Sequence, residues 1–347
     1  MRIKFIDPVL PMGVPGHKEA WDGGGKGFNE HEILAATALV QRGHEVIIFG
    51  QTDHSFTEAG VGIEPFPKFL KYKADAIMFF LGHSSKGKEY PWQFGDEELL
   101  KIVYTIQGPV LAFGYTPVVS PPNDEWITSG WGYLALSRWQ EQYLLKRGMP
   151  KDRLYHVSQP LHLDNMFDPQ LVKRPQNPRC LYASSWDRGL EDLLVMWKRI
   201  NTQVPEAELY VCYNDAPEDA KEYFRPWNIY FAGNLGFKDM KSMYHRCHFL
   251  LYPCTEDVEA HCCTVEKAQL AGCVPIVTPK GSLPELIVQN GGIVADRFEY
   301  VDVTLSVLED VEEWGMRSEK CMTYMPTSMR DYAVRLEDAW EDVRRKD

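Results

Sequence analysis

The chain has 347 residues, of which 44% are hydrophobic and 25% are charged, and its 49 acidic residues outnumber 37 basic ones. This length is too great for one ordinary core and suits two domains of roughly 150–200 residues each. The net charge of −12 disfavours broad electrostatic capture of duplex nucleic acid or of an anionic membrane surface.

The eight cysteines show no zinc-type spacing. Cys262 and Cys263 are adjacent, which is poor geometry for a disulfide between them, and the positions of His248 and His261 fit no zinc pattern. The N-terminal segment MRIKFIDPVL lacks the long apolar stretch of a signal peptide, and no stretch approaches the length of a membrane span. We therefore expect a cytoplasmic protein with reduced cysteines, no bound metal and no membrane span.

The first fifty residues alternate between strand and helix patterns. Residues 2–7 (RIKFID) predict a short buried strand, and a glycine-rich loop follows at 23–27. Apolar residues at Ile33, Ala36 and Val40 have the i, i+3, i+7 spacing of one helix face. The segment HEVIIFG then predicts the next strand, so this region predicts a strand–loop–helix–strand unit.

Further short apolar runs extend this pattern through the N-terminal half. They cover residues 76–81, 109–115, 133–137 and 154–158, with helical segments near 97–106 and 138–147. Alternation of short apolar strands with amphipathic helices predicts a parallel sheet covered on both faces. Residues 158–178 are rich in proline and polar residues and have no periodicity, which indicates a linker between domains.

The same alternation begins again after the linker. Strands are predicted at 180–184, 208–213, 228–233, 249–253, 274–278 and 291–296, with helices near 189–202, 237–246 and 263–271. The sequence therefore predicts an α/β protein with two Rossmann-like domains, residues 1–160 and 175–326. A last amphipathic helix at 327–347 is expected to pack back towards the N-terminal domain.

Residues 249–286 carry the most informative motif. They read FLLYPCTEDVEAHCCTVEKAQLAGCVPIVTPKGSLPEL, in which a strand ends at Tyr252-Pro253, the helix motif Glu-x-Ala-x-x-Ala-Gly starts at Glu266, and Pro275 enters the next strand. This pattern resembles the donor-binding signature of retaining GT-B glycosyltransferases of the GT4-like group, the group 1 glycosyltransferases. The resemblance covers nearly the whole chain and is closest in the C-terminal half.

The resemblance implies the GT-B fold, in which two Rossmann-like domains face each other across a cleft. It implies a retaining transfer of a hexose or pentose from a nucleotide-diphosphate sugar to an acceptor hydroxyl, with UDP-glucose or a similar UDP-sugar as the default donor. It also implies a metal-independent reaction without a further cofactor, because basic side chains and helix dipoles hold the diphosphate. The leaving phosphate itself would help to deprotonate the acceptor.

The resemblance also assigns roles to particular residues. Arg188 would stabilise the leaving diphosphate, Glu259 would orient sugar hydroxyls, and Glu266 would accept hydrogen bonds from the ribose hydroxyls. Backbone amides at the start of the helix near 263–271 suit the diphosphate, because the helix dipole is positive there. The remaining candidates are Cys262, Cys263 and Thr264 at that helix start, Asn234 and Leu235 in the nucleobase loop, Gly24, Gly25 and Lys26 in the glycine-rich loop, and His83, with Tyr115 and Thr116 as alternatives to His83.

The sequence departs from the family pattern at two points. The family has Glu-x7-Glu, whereas Glu259 and Glu266 are spaced Glu-x6-Glu, so either the loop is one residue shorter or Glu256 or Asp257 contacts the sugar. The family also has an arginine near Ser184 or Ser185, which this chain lacks. Diphosphate binding would then depend on Lys26, Lys280 or backbone groups as well.

Several functions remain open on this reading. The acceptor is a glycan, a small molecule or a hydroxymethylated DNA base, although the acidic charge balance gives no support to a DNA acceptor. The segment SSWDRGL at 184–190 resembles glycosyltransferases common in viral and environmental sequences, which would place a virus-encoded enzyme in the host cytoplasm. The alternatives are a catalytically silent nucleotide-sugar binding protein and a nucleotide-sugar epimerase on the same fold.

Overall fold

The computed structural model describes most of the chain. The described residues are 1–11, 27–52, 54–80, 109–113, 131–161, 174–213, 216–255, 259–287, 289 and 291–346, with backbone alone for 7–11, 27–29, 51, 80 and 113. The chain divides into two compact units. One comprises Met1–His162 together with Thr327–Asp347, and the other comprises Leu163–Pro326.

The strands and helices are numbered in chain order. The strands are β1 (Arg2–Pro11), β2 (Glu45–Gln51), β3 (Phe56–Glu58), β4 (Val61–Pro65), β5 (Ala76–Phe80), β6 (Val110–Phe113), β7 (Gly132–Ala135), β8 (Leu154–His156), β9 (Arg179–Ala183), β10 (Glu208–Cys212), β11 (Ile229–Gly233), β12 (Phe249–Tyr252), β13 (Val274–Val277) and β14 (Ile293–Val294). The helices are α1 (Gly27–Gln41), α2 (Arg138–Lys146), α3 (Leu190–Gln203), α4 (Glu218–Phe224), α5 (Phe237–Arg246), α6 (Cys263–Leu270), α7 (Leu283–Ile287), α8 (Tyr300–Leu308), α9 (Val311–Met322) and α10 (Met329–Lys346).

The first unit contains an eight-stranded sheet in the order β3-β4-β2-β1-β5-β6-β7-β8. Its strands pair in parallel except for the antiparallel pair of β3 and β4. Helices α1 and α10 pack against each other. Trp340 of α10 is fully buried and donates a hydrogen bond from Nε1 to the carbonyl oxygen of Ile77, at 2.9 Å. The C-terminal helix is therefore part of the core of the first unit.

The second unit contains a six-stranded parallel sheet in the order β11-β10-β9-β12-β13-β14. Strands β12 (FLLY) and β13 (VPIV) are buried along their whole length, as expected when helices cover both faces of a parallel sheet. Because parallel strands end at the same edge, the loops that follow β9, β12 and β13 meet there. This carboxyl edge of the sheet carries the candidate site.

The structure confirms the predicted fold class, an α/β protein with two parallel-sheet units. Several local features differ from the sequence-based expectation, including the elements β4, α4, α7, α8 and α9, which are not predicted. The strand predicted at 291–296 extends only over Ile293–Val294, and the antiparallel strand β3 is not predicted, because three residues are too few to show a strand period. None of the described helices combines the length and the apolar character needed to cross a lipid bilayer.

Candidate functional site

The loops after β9 and β12 touch each other through their backbones. After β9 the chain forms a single 3-10 turn, Trp186–Arg188, and Gly189 then adopts a left-handed φ of +98° before α3 begins. A Cβ atom at Gly189 would lie 2.1 Å from the carbonyl oxygen of Pro253. Only glycine allows this approach, which brings Arg188 next to the end of β12.

Arg188, Glu259 and Tyr252 form one hydrogen-bonded group at this edge. The Tyr252 hydroxyl donates to Glu259 Oε2 at 2.8 Å. Arg188 Nη1 lies 3.4 Å from the same oxygen. Tyr252 is buried, and the side chains of Arg188 and Glu259 keep 22% and 12% exposure, so the pair has a face that a ligand can reach.

The backbone of Glu259 is held by the loop that follows β13. The amide of Ser282 donates to the Glu259 carbonyl oxygen at 2.7 Å. Gly281 has a φ of +52°, and a Cβ atom there would lie 2.3 Å from the same oxygen and 2.5 Å from the Glu259 nitrogen. Gly281 therefore allows two loops to come together, and Glu259 is fixed from the backbone side.

Burial and charge act in opposite directions on Arg188. Burial disfavours the charged guanidinium, but Glu259 and the other acidic groups around it together outweigh this effect, so the pKa of Arg188 lies above its usual value. Burial, followed by the charge of Glu259, raises the pKa of Tyr252 well above its usual value. The phenol therefore stays protonated and acts as a donor, beside a permanent cation and an acceptor carboxylate.

The start of α6 lies against the end of β9. Thr264 Oγ1 donates to the carbonyl oxygen of Ala183 at 3.3 Å. Cys262 is the extended residue that precedes the helix, and its side chain makes no capping hydrogen bond. Burial raises the pKa of the Cys262 thiol well above its usual value, which disfavours a reactive thiolate. The structure therefore places Cys262, Cys263 and Thr264 at a helix N-terminus near the carboxyl edge of the sheet.

Glu266 lies in the core, with its side chain 1% exposed. Its Oε2 is 2.8 Å from His261 Nε2, and its Oε1 accepts a short hydrogen bond from the Tyr324 hydroxyl. Burial lowers the pKa of His261, but the charge of Glu266 and its hydrogen bond outweigh burial and raise it. A ribose contact by Glu266 stays a prediction, and it requires this buried carboxylate to become accessible to the donor.

The same core cluster has the geometry to hold a metal ion. His261, Cys263 and Glu266 are all buried, and one ligand atom from each lies within 4.8 Å of the others. In the structure, however, both carboxylate oxygens of Glu266 already accept hydrogen bonds. We therefore describe the cluster as a hydrogen-bonded core group.

Two residues close to this region, Lys267 and Tyr252, have no site role predicted from the sequence. Seven residues separate Glu259 from Lys267, so a lysine occupies the position at which the Glu-x7-Glu spacing has its second glutamate. Lys267 is half-buried and lies one helical turn after Thr264. Counting from Glu259 would have found it. Tyr252 is the other residue. The sequence of a buried strand that ends in tyrosine does not indicate which side chain accepts the hydrogen bond of the tyrosine hydroxyl.

The nucleobase-loop candidates follow β11. Asn234 is exposed and Leu235 is half-buried. The amide of Tyr213 donates to the Gly233 carbonyl oxygen at 2.7 Å, which joins the loops after β10 and β11. Other candidates lie outside the described residues, namely Gly24, Gly25, Lys26 and His83 and the alternatives Tyr115, Thr116, Glu256 and Asp257.

A cavity of about 450 Å³ opens at the carboxyl ends of β12, β13 and β14. Its lining includes Thr255, Thr278, Lys280, Asp296 and Arg297. Lys280 directly precedes Gly281, the residue that packs against the Glu259 backbone. The cavity therefore borders the loops that hold Glu259 and adds a cation to this edge of the sheet.

Comparison with known proteins gives a likeness in structure but not in sequence. No protein-family model matches the chain. No curated protein matches it either. Among solved structures, it is similar to a sucrose-phosphate synthase from Thermosynechococcus elongatus, with a TM-score of 0.71 and 13% identity over 99% of both chains.

Two further solved structures resemble the chain over nearly its full length. A glycosyltransferase from Rickettsia africae has a TM-score of 0.69 and 14% identity, covering 99% of this chain and 98% of its own. HepE from Anabaena, in complex with UDP and glucose, has a TM-score of 0.70 and 12% identity, covering 97% and 98%. Sequence identities this low establish the fold alone. The chain has the GT-B fold of these glycosyltransferases.

Proposed function

We propose that this protein is a glycosyltransferase that moves a sugar from a nucleotide-diphosphate sugar to an acceptor hydroxyl. The observation that carries the proposal is the pairing of Arg188 with Glu259 at the carboxyl edge of the second sheet. Open α/β sheets bind ligands at this edge. The GT-B fold supports the same conclusion, since similar structures are glycosyltransferases and one of them holds UDP and glucose.

The donor would lie with its diphosphate beside Arg188. A guanidinium forms charge-assisted hydrogen bonds to phosphate oxygens, and these strengthen as negative charge develops on the leaving group. Lys280 and the N-terminus of α6 add positive potential nearby. These groups support a reaction that needs no metal ion, as the resemblance to the GT4-like group implies.

The transferred sugar would be oriented by Glu259. Its carboxylate is an acceptor that the Tyr252 hydroxyl orients, and its backbone carbonyl oxygen accepts from the amide of Ser282. Asn234 and Leu235 are proposed for the nucleobase, and Gly24, Gly25, Lys26 and His83 stay proposals for the N-terminal unit. We take UDP-glucose as the first donor to test and a retaining, front-face transfer as the mechanism.

The first prediction concerns Arg188. Replacing Arg188 by Gln removes a charged donor to the diphosphate, which is worth about 1.5–3 kcal/mol, so donor affinity should fall by about 10- to 100-fold. Calorimetric titration with UDP-glucose, GDP-glucose and ADP-glucose measures this loss for the preferred donor. Arg199→Gln is the matched control, because Arg199 lies exposed on α3 and should leave the affinity unchanged.

Turnover separates the transferase from its alternatives. A transferase releases UDP from UDP-glucose and yields a glycosylated acceptor, tested with glycans, small hydroxyl compounds and hydroxymethylated DNA. An epimerase instead returns a nucleotide-sugar of changed configuration. The missing arginine near Ser184 and Ser185 and the shorter Glu-x6-Glu spacing make a silent nucleotide-sugar binding protein the second candidate. Tight binding without UDP release, hydrolysis or epimerisation would establish that alternative and reject the transferase.

A further inference from the structure

Tyr252 differs in its partner from two other buried tyrosines of the second unit. The hydroxyls of Tyr182 and Tyr300 donate to backbone carbonyl oxygens, those of Ser185 and Ile276, at 2.7 and 2.6 Å. The hydroxyl of Tyr252 donates to the side chain of Glu259. A phenol that donates a hydrogen bond to a backbone carbonyl oxygen stabilises the fold. A phenol that donates to a functional carboxylate also fixes the orientation of that carboxylate.

We propose that Tyr252 is a positioning residue of this site, whose hydroxyl holds the carboxylate of Glu259 beside Arg188 in the orientation that sugar transfer needs. This inference rests on the proposed transferase function. It assigns to Tyr252 no contact with the substrate, since the side chain is buried and acts through Glu259.

The distances decide which neighbour orients the carboxylate. The Tyr252 hydroxyl lies 2.8 Å from Glu259 Oε2, which is within the range of a good O–H···O hydrogen bond. Arg188 Nη1 lies 3.4 Å from the same oxygen, longer than a typical charge-assisted bond. Of these two contacts, the one with Tyr252 therefore gives the carboxylate its direction, and Arg188 supplies mainly charge.

The position of the Glu259 backbone does not depend on Tyr252. Its backbone is held by the Ser282 amide and by the close approach of Gly281. Loss of the Tyr252 hydroxyl should therefore remove the 2.8 Å bond that orients the carboxylate while the loop keeps its place. Misplaced catalytic groups lower the rate of the chemical step more than they lower donor affinity, because most donor contacts are unchanged.

The second prediction tests this role with Tyr252→Phe. We expect kcat for UDP release from UDP-glucose to fall by about 10- to 100-fold, with KM changed by less than about two-fold. Tyr300→Phe is the matched control, since it removes a buried hydroxyl that donates to a backbone carbonyl oxygen rather than to a carboxylate. That variant should keep kcat and KM within about two-fold of the unmodified protein.

A second readout does not depend on activity. In protein labelled with ¹³C at the glutamate carboxyl groups, the signal of Glu259 is identified by its loss in Glu259→Gln. Tyr252→Phe should raise the pKa of Glu259, because a donor that favours the ionised form has been removed. Tyr300→Phe should leave that pKa in place.

The outcomes distinguish the two proposals. If UDP-glucose and the other nucleotide-sugars give no turnover with the unmodified protein, the transferase proposal fails, yet the change in the Glu259 pKa still reports whether Tyr252 holds the carboxylate. An unchanged pKa in Tyr252→Phe, or an equal loss of kcat in Tyr300→Phe, overturns the positioning role. Loss of folding in Tyr252→Phe but not in Tyr300→Phe also overturns it, since the hydroxyl would then serve the fold.

Discussion

At the residue scale, the ion pair of His261 and Glu266 is almost closed off from solvent, with 1% exposure of each side chain. Two buried charges are stable only when each has its partner. The pKa of His261 is raised in the folded protein, because Glu266, with the charges of Glu259 and Glu285, outweighs the opposing effect of burial. A group with a raised folded pKa adds stability below its unfolded pKa, about 6.5, and this stability is lost as pH rises through the folded pKa.

The third prediction follows from this pair. Glu266→Gln should lower the free energy of unfolding on the order of 3 kcal/mol near pH 6, because it leaves a buried imidazole without its counter-charge. The difference from the unmodified protein should shrink as pH rises from about 6.5 through the raised folded pKa of His261, above which the imidazole is neutral in both states. Denaturant unfolding at a series of pH values measures both effects.

An exposed glutamate provides the control for that experiment. Glu319→Gln lies on the solvent side of α9 and should change the free energy of unfolding by less than about 0.5 kcal/mol. If Glu266→Gln leaves stability unchanged at every pH but abolishes UDP-glucose binding, the carboxylate contacts the donor. Contact with the donor ribose, which the sequence implies, would then be the function of Glu266 in place of its structural role in the core.

At the scale of elements, the loop after β13 can approach the loop after β12 only because residue 281 is a glycine. The fourth prediction is that Gly281→Ala lowers both stability and UDP release, because its Cβ would lie 2.3 Å from the Glu259 carbonyl oxygen at a φ of +52°. The left-handed backbone alone costs about 1–2 kcal/mol for a non-glycine residue. Thermal unfolding and steady-state kinetics measure the two losses.

Gly315 is the matched control for Gly281. It lies within α9, and a Cβ atom there would meet nothing within 4 Å. Gly315→Ala should therefore stabilise the protein by up to about 1 kcal/mol, because alanine favours a helix more than glycine does. Full activity in Gly281→Ala would show that the contact with Glu259 is not needed.

The elements show what the sequence alone can and cannot predict. Strands β12 and β13 are continuous apolar runs, so their burial in a parallel sheet follows from composition. The motif around Glu266 correctly places a helix but not the face on which the carboxylate lies. Neighbouring helix positions differ by about 100° around the axis, so a one-residue difference in spacing moves Glu266 into the core and leaves Lys267 half-buried.

Side-chain contacts between distant segments are a second feature that the sequence alone does not predict. Arg188 and Glu259 are 71 positions apart, and the structure brings them together at a sheet edge where parallel topology makes such a meeting expected. The bond from Tyr252 to Glu259 depends on one rotamer of each side chain. No pattern of composition or periodicity encodes that choice.

At the scale of the whole molecule, the C-terminal helix belongs to the first unit although the second unit precedes it in the chain. The fifth prediction is that Trp340→Ala lowers the free energy of unfolding of the first unit by about 3–5 kcal/mol, since a fully buried indole and its bond to Ile77 are lost. Hydrogen exchange should report faster opening of strands β5 and β6 and little change in β12 and β13. Phe298→Ala, at a residue that is 96% exposed, should change neither unit.

This arrangement also bears on how the protein is made. On the ribosome, residues 1–161 emerge long before Met329–Lys346, and translation at about 5–20 residues per second separates them by on the order of ten seconds. During that interval the nascent first sheet lacks the helix that carries Trp340, so its apolar face is open to chaperones and to other nascent chains. The second unit, whose strands are contiguous in the chain, is the part that can complete its folding first.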